Sequence, residues 1–138
     1  MYVKDTLSVI RRTDLESKFS GERIILELLL PKSKGILVGT FYHPPSQKNF
    51  MDPFRAVLES SCAESKELLI TGDFNCDFLA KPCSRVTNEL KGIFTNFNLS
   101  PLLITKATRT TKDSSTLLNL FATNCPRHIT LLKLSNLA

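Results

Sequence analysis

No two of the four cysteines in this 138-residue chain stand at C-x-x-C spacing, and no histidine lies at zinc-finger distance from one. That excludes the ordinary structural zinc site. A disulfide scaffold is not expected in a chain this long with so few thiols. Cys62, Cys76, Cys83 and Cys125 read as reduced thiols of an intracellular protein, nuclear or cytoplasmic and not secreted. No apolar segment follows Met1-Tyr2-Val3-Lys4-Asp5, so no signal peptide is expected. The longest apolar stretch, Ile24 to Leu30, is broken by Glu27 and is far too short to span a bilayer, so no membrane partner is expected. Repeats and low-complexity tracts are missing as well. What remains is an ordinary soluble composition, 42% hydrophobic and 22% charged, which excludes disorder as the main state. The length suits one domain or most of one. The net charge of +5 favours a polyanionic partner, because nucleic-acid backbones attract Lys and Arg and release counterions. Charge alone does not decide this, since many basic proteins of this size bind no nucleic acid.

Along the chain, Tyr2-Val3 and Leu7 to Arg11 are strand-like, and Asp14 to Gly21 reads as a polar connection. Arg23 to Leu30 and Ile36 to Tyr42 read as two strands of an antiparallel hairpin, turned at Pro31 to Gly35 and ended by His43-Pro44-Pro45. Pro53 to Lys66 is predicted helical, with Asp52 as N-cap and Pro53 at the first helical position. Glu67 to Thr71 is a short apolar strand, closed by Gly72-Asp73-Phe74-Asn75. Ser84 to Phe97 is a second predicted helix, with Val86, Leu90, Ile93 and Phe94 as its buried stripe. Leu99 to Thr105 reads as extended, Thr108 to Ser115 as a polar loop, and Thr116 to Thr123 and Ile129 to Leu134 as strands. This order predicts an α+β fold of packed sheets with helices outside. Both ends of the sequence read as the inside of a domain.

The segment Leu68-Leu69-Ile70-Thr71-Gly72-Asp73-Phe74-Asn75 carries the sharpest chemistry. An apolar strand delivers two polar side chains at its C-terminal end. In an extended segment, positions i and i+2 share a side, which directs Asp73 and Asn75 to one site and Phe74 into the core. A carboxylate beside an amide suits phosphodiester hydrolysis. The carboxylate orients and deprotonates a water or helps hold a divalent ion, and the amide fixes a phosphoryl oxygen. Gly72 permits close approach. The plain alternative is a turn, because Gly, Asp and Asn are ordinary loop formers.

The stretch from Leu68 to Asp77 resembles the Gly-Asp-Phe-Asn signature of the endonuclease/exonuclease/phosphatase (DNase I-like) superfamily, in the form found in LINE-type retrotransposons. Gly39 to Ser46 resembles the family's strand ending in Tyr-Arg-Pro-Pro-Ser. Lys106 to Thr110 resembles its Pro-Thr-Arg-x-Thr segment. Ser114 to Asn124 resembles Ser-Ser-Thr-Leu-Ile-Asp-Leu-Ile-Phe-Thr-Asn. Each motif is weak alone. Four in the right order, over nearly the whole chain, make the resemblance strong. It implies part of a four-layer fold, with two packed, mainly antiparallel sheets and helices outside, and residues 1–138 forming one incomplete domain. It implies that Asp73 is the base or water-orienting carboxylate, Asn75 holds the scissile phosphate and Tyr42 hydrogen-bonds a phosphoryl oxygen. Asn119 stands where the family has an aspartate near the catalytic centre. Thr108, Arg109 and His43 fall on the DNA-contacting segments. Tyr42 as a plain strand-end aromatic and Thr108 as a loop hydroxyl stay open, and His128 reads as a loop histidine. Arg11, Arg12, Lys32 and Lys34 read as solvated charges.

The departures from the family pattern are as informative. Asn119 is an amide and cannot stabilise an imidazolium by charge. His43 replaces an arginine and with it a permanently charged phosphate-binding fork. No counterpart of the family's metal-binding asparagine and glutamate precedes Tyr2. The closing Ser-Asp-His motif has no match in Lys133-Leu134-Ser135-Asn136-Leu137-Ala138. The expected function is therefore a fragment of a DNA endonuclease of a non-LTR retroelement, inactive alone. Mg²⁺ or Mn²⁺ would be its cofactor in the intact domain. Its implied partners are DNA and a reverse transcriptase domain. The alternatives are a non-catalytic nucleic-acid-binding module and a phosphoesterase of the same superfamily.

Overall fold

The computed structural model of the protein describes residues 8–101, 109–110, 115–116 and 119–125. Eight strands and three helices alternate along it. They are β1 (Ser8–Arg11), α1 (Thr13–Glu16), β2 (Arg23–Leu29), β3 (Ile36–Tyr42), α2 (Met51–Cys62) and β4 (Glu67–Asp73). Then follow α3 (Arg85–Asn96), β5 (Ser100–Pro101), β6 (Arg109–Thr110), β7 (Ser115–Thr116) and β8 (Asn119–Thr123). One six-stranded sheet runs β1-β2-β3-β4-β8-β5, and β6 pairs with β7 separately. Of the two packed sheets expected, the described residues build this one and the short pair. The segment read as a polar loop at Thr108 to Ser115 includes both partners of that pair in part, Arg109–Thr110 against Ser115–Thr116. The strand-like runs at Tyr2-Val3 and Ile129 to Leu134 lie outside the described residues.

β2 and β3 form the expected antiparallel hairpin. β3 and β4 are parallel, which requires a crossover, and α2 supplies it. Period-2 alternation then divides the sheet into two faces. Leu37, Phe41, Leu68, Ile70, Leu120 and Ala122 share one face, and all are buried in the main core. Helices cover that face: Phe41 meets Phe54 of α2 with ring centroids 5.1 Å apart, and Phe74 meets Phe94 of α3 at 6.1 Å. Edge-to-face aromatic contacts of this kind add to the burial of the rings themselves. On the other face, Ile24 and Phe121 are more than a third exposed.

Local expectations in three segments are corrected. α2 starts at Met51, with Phe50 in the cap position and no side-chain cap, so Asp52 falls in the first turn rather than at the cap. The reason is packing. Phe50 is buried against Phe19, Phe54 and Phe74, and that anchor sets the helix start. Pro53 is tolerated because the first four N–H groups of a helix have no internal partner. The helix also ends early, at Cys62, where Ala63 caps it and Ser65 turns left-handed at φ 55°. α3 starts at Arg85, and Ser84, read as its first residue, caps it by accepting from Thr87 N–H at 3.1 Å. Val86, however, is exposed, and Thr87 takes its place on the buried side with Leu90, Ile93 and Phe94. Finally, the connection at Asp14 to Gly21 contains the single turn α1, because Leu15 and Phe19 are buried and pin it to the core.

Arg12 is not a solvated charge. Its guanidinium reaches Asp14 at 2.7 Å, Glu27 at 3.2 Å and Glu64 at 2.8 Å, and Lys66 also pairs with Glu27 and Glu64. This network ties the end of α2 to β2. The hydrogen bond from Arg12, helped by Lys66, holds the Glu64 carboxyl down at about 2. A group whose folded value is depressed stabilises the fold above its ordinary range of about 4.5 and loses that contribution as pH falls towards 2. Glu64→Gln is therefore expected to lower stability by about 2 kcal/mol near neutral pH. The difference from the parent protein should shrink as pH drops from about 4.5 to about 2, read from urea midpoints along a pH series. A constant difference across that range would contradict the assignment.

Candidate active site

The sheet register assembles the site. Tyr42, the last residue of β3, pairs with Asp73, the last residue of β4, and Asp73 pairs in turn with Asn119 at the start of β8. Three residues singled out from sequence thus stand abreast on three adjacent strands. Laterally paired residues share a face, so Tyr42 and Asp73 project from the side opposite the helices. Behind Tyr42 lies a cavity of about 440 Å³ lined by Gly21, Glu22, Arg23, Ile24 and Thr40. The Thr40 hydroxyl is buried and has no hydrogen-bond partner among the described residues.

Gly72 is where the chain needs glycine. Its φ is +146°, and a Cβ there would lie 1.9 Å from the Phe41 carbonyl oxygen. After Asp73 the chain turns sharply, with Asn75 at φ 50°, a left-handed conformation that asparagine accepts more readily than most residues. Phe74 points into the core, as the alternation predicts, and is fully buried. The simple i, i+2 argument stops there, because the strand has ended. Asp73 and Asn75 are joined through the turn itself: the Asn75 backbone N–H donates to Asp73 Oδ1 at 3.0 Å. The Asn75 side-chain amide donates to the His43 carbonyl at 2.7 Å.

His43 is buried, with Nδ1 at 2.8 Å from the Phe74 carbonyl oxygen and Nε2 at 3.1 Å from that of Gln47. Its ring is engaged with the protein rather than presented at the surface. Nothing in the sequence near His43 signalled this, because its partners are backbone carbonyls, one just past β4 and one across the following turn. A second cavity, of about 460 Å³, opens beside Asn75 between His43, Pro45, Ser84 and Val86. Thr108 lies outside the described residues. Arg109 and Asn119 are placed by their backbone pairing, with Thr116 and Asp73 respectively. The four cysteines are all free. Burial pushes the thiols of Cys76 and Cys62 above their ordinary range.

The same arrangement of strands and helices occurs in solved structures. The endonuclease domain of TRAS1, a telomere-specific non-LTR retrotransposon, superposes with a TM-score of 0.69 over 87% of this chain at 15% identity. The chain has part of the DNase I-like fold. The beta toxin 275-280 of Staphylococcus aureus superposes less closely, with a TM-score of 0.51 over 75% of the chain at 11% identity. The chain spans about half of these DNase I-like structures, 55% of the first and 43% of the second. No family model and no curated protein sequence matches it. Among the described residues, no helix is long and apolar enough to cross a membrane.

Proposed function

We propose that this chain is part of a DNA phosphodiesterase domain, of the kind that nicks target DNA for a non-LTR retroelement. The observation that carries the reading is the row Tyr42–Asp73–Asn119, placed at one end of the sheet beside the Asn75 turn. One Asp73 oxygen accepts from the turn and leaves the other to orient a water. One N–H of the Asn75 amide is spent on His43, and the second is available to a phosphoryl oxygen. Tyr42 offers a hydroxyl from the neighbouring strand, and Thr108 and Arg109 would lie along the DNA. DNA is the substrate class, and a reverse transcriptase domain is the partner this reading implies.

The resemblance also implies Mg²⁺ or Mn²⁺. Among the described residues, no three His, Cys, Asp or Glu side chains stand together to hold a metal ion. Asp73 offers one carboxylate at the site, and a tightly held divalent ion would need further oxygen ligands.

Binding is the direct test. Fluorescence anisotropy of a short labelled duplex at low salt should give weak binding, with Kd of about 10⁻⁴ to 10⁻⁶ M, weakening steeply as salt is added. Asn75→Ala and Tyr42→Phe should each reduce it several-fold. No binding at low salt would remove DNA as the ligand. Phosphate release from a small phosphoester without DNA binding would favour the phosphoesterase alternative. Salt-sensitive binding indifferent to both substitutions would favour a non-catalytic module.

A further inference from the structure

We propose that His43 is a positioning residue that braces Asp73 and Asn75, rather than a contact for DNA. The proposal rests on reading those two residues as the site. Four polar groups of His43 meet the region around the turn. Its backbone N–H donates to the Asp73 carbonyl at 2.9 Å, and its carbonyl accepts from the Asn75 side chain at 2.7 Å. Nδ1 faces the Phe74 carbonyl at 2.8 Å, and Nε2 faces the Gln47 carbonyl at 3.1 Å. The ring lies against Phe50 at 4.3 Å between centroids, and Phe50 opens α2. His43 therefore fastens three consecutive residues, Asp73, Phe74 and Asn75, to the end of β3 and to the start of the crossover helix.

The backbone contacts belong to any residue at this position. The ring contacts belong to histidine. A neutral imidazole carries one N–H and can donate to one of the two carbonyls; protonated at both nitrogens, it donates to both. The Phe74 contact is the shorter and more buried, so leaving it unmade is the worse outcome. In the neutral ring, the proton belongs on Nδ1. A hydrogen bond there fixes the peptide between Phe74 and Asn75, and with it the left-handed turn that presents the Asn75 amide.

The contributions of stacking and hydrogen bonding separate cleanly by substitution. His43→Asn keeps a donor where Nδ1 stands and loses the ring. His43→Gln keeps one where Nε2 stands. His43→Phe keeps a ring on Phe50 and loses both donors. Two-dimensional ¹H–¹⁵N NMR of the full chain reads the result at the Asn75 side-chain and backbone amides. His43→Asn should leave the Asn75 signals near their parent positions. His43→Phe should move the side-chain pair towards free-amide positions and speed exchange of the Asn75 backbone N–H about tenfold or more. His43→Gln should resemble His43→Phe. The proposal is overturned if His43→Phe leaves Asn75 unchanged, or if the Asn and Gln variants behave alike. The Asn–Gln contrast serves equally should His43→Phe fail to fold. Adding the DNA duplex to the same samples tests the site reading separately. No response of Asn75 in the parent protein would overturn that reading while leaving the brace intact.

Discussion

Supercoiled plasmid incubated with the purified chain and Mg²⁺ should remain supercoiled. Phosphodiester hydrolysis by positioned groups works as a unit, and removing members of such a unit lowers the rate by orders of magnitude. Of the groups the resemblance implies, Asp73, Asn75 and Tyr42 occupy the end of the sheet. The position abreast of Asp73 on β8 holds Asn119, an amide rather than a carboxylate. The chain spans 55% of the TRAS1 endonuclease domain on which it superposes. Nicking should therefore fall at least about a thousandfold below that of an intact enzyme. Asn119→Asp alone should not restore it, because one charge does not supply the rest of such a domain. Robust nicking by the parent chain, abolished by Asp73→Ala, would sink this expectation.

Gly72→Ala should be the most destabilising single substitution near the site. The added Cβ would lie 1.9 Å from the Phe41 carbonyl oxygen and 2.9 Å from its carbon, both backbone atoms of the paired strand. Backbone on a central strand cannot step aside as a flexible side chain can. The φ of +146° adds strain of its own. The loss should reach about 4 kcal/mol or more, against a total of about 5–15 kcal/mol for a typical domain. Gly39→Ala is the internal comparison. Its nearest obstacle is the Phe41 ring at 2.7 Å, a side chain that can shift, so a smaller loss is expected. Denaturant midpoints of the two variants decide the matter, and equal losses would contradict the argument.

Much of the sheet was legible in the sequence. β3 runs from Ile36 to Tyr42 as read, because an apolar, β-branched run ended by two prolines leaves little choice. β4 runs past its expected end at Thr71 to Asp73, and the turn that follows holds Asn75 left-handed, a conformation that suits asparagine. Helix starts were less legible. Asp52 and Pro53 form a sound local signal, but the buried ring of Phe50 overrode it from across the core. Val86 shows the same limit, since helical spacing does not reveal where a first turn leaves the core. His43 was the hardest to read. Its buried position follows from carbonyl groups of Phe74 and Gln47 that no local pattern announces.

The crossover through α2 also bears on how the site comes into being. Tyr42, His43, Asp73 and Asn75 all belong to one unbroken stretch, β3–α2–β4 and the turn that follows, with His43 and Phe74 only 31 positions apart. Parallel pairing cannot begin until the connecting helix has folded back onto the strands, so loop closure comes before any contact among these groups. That one closure is what brings all four together. Asn119 is instead carried to its place by β8, from much later in the chain.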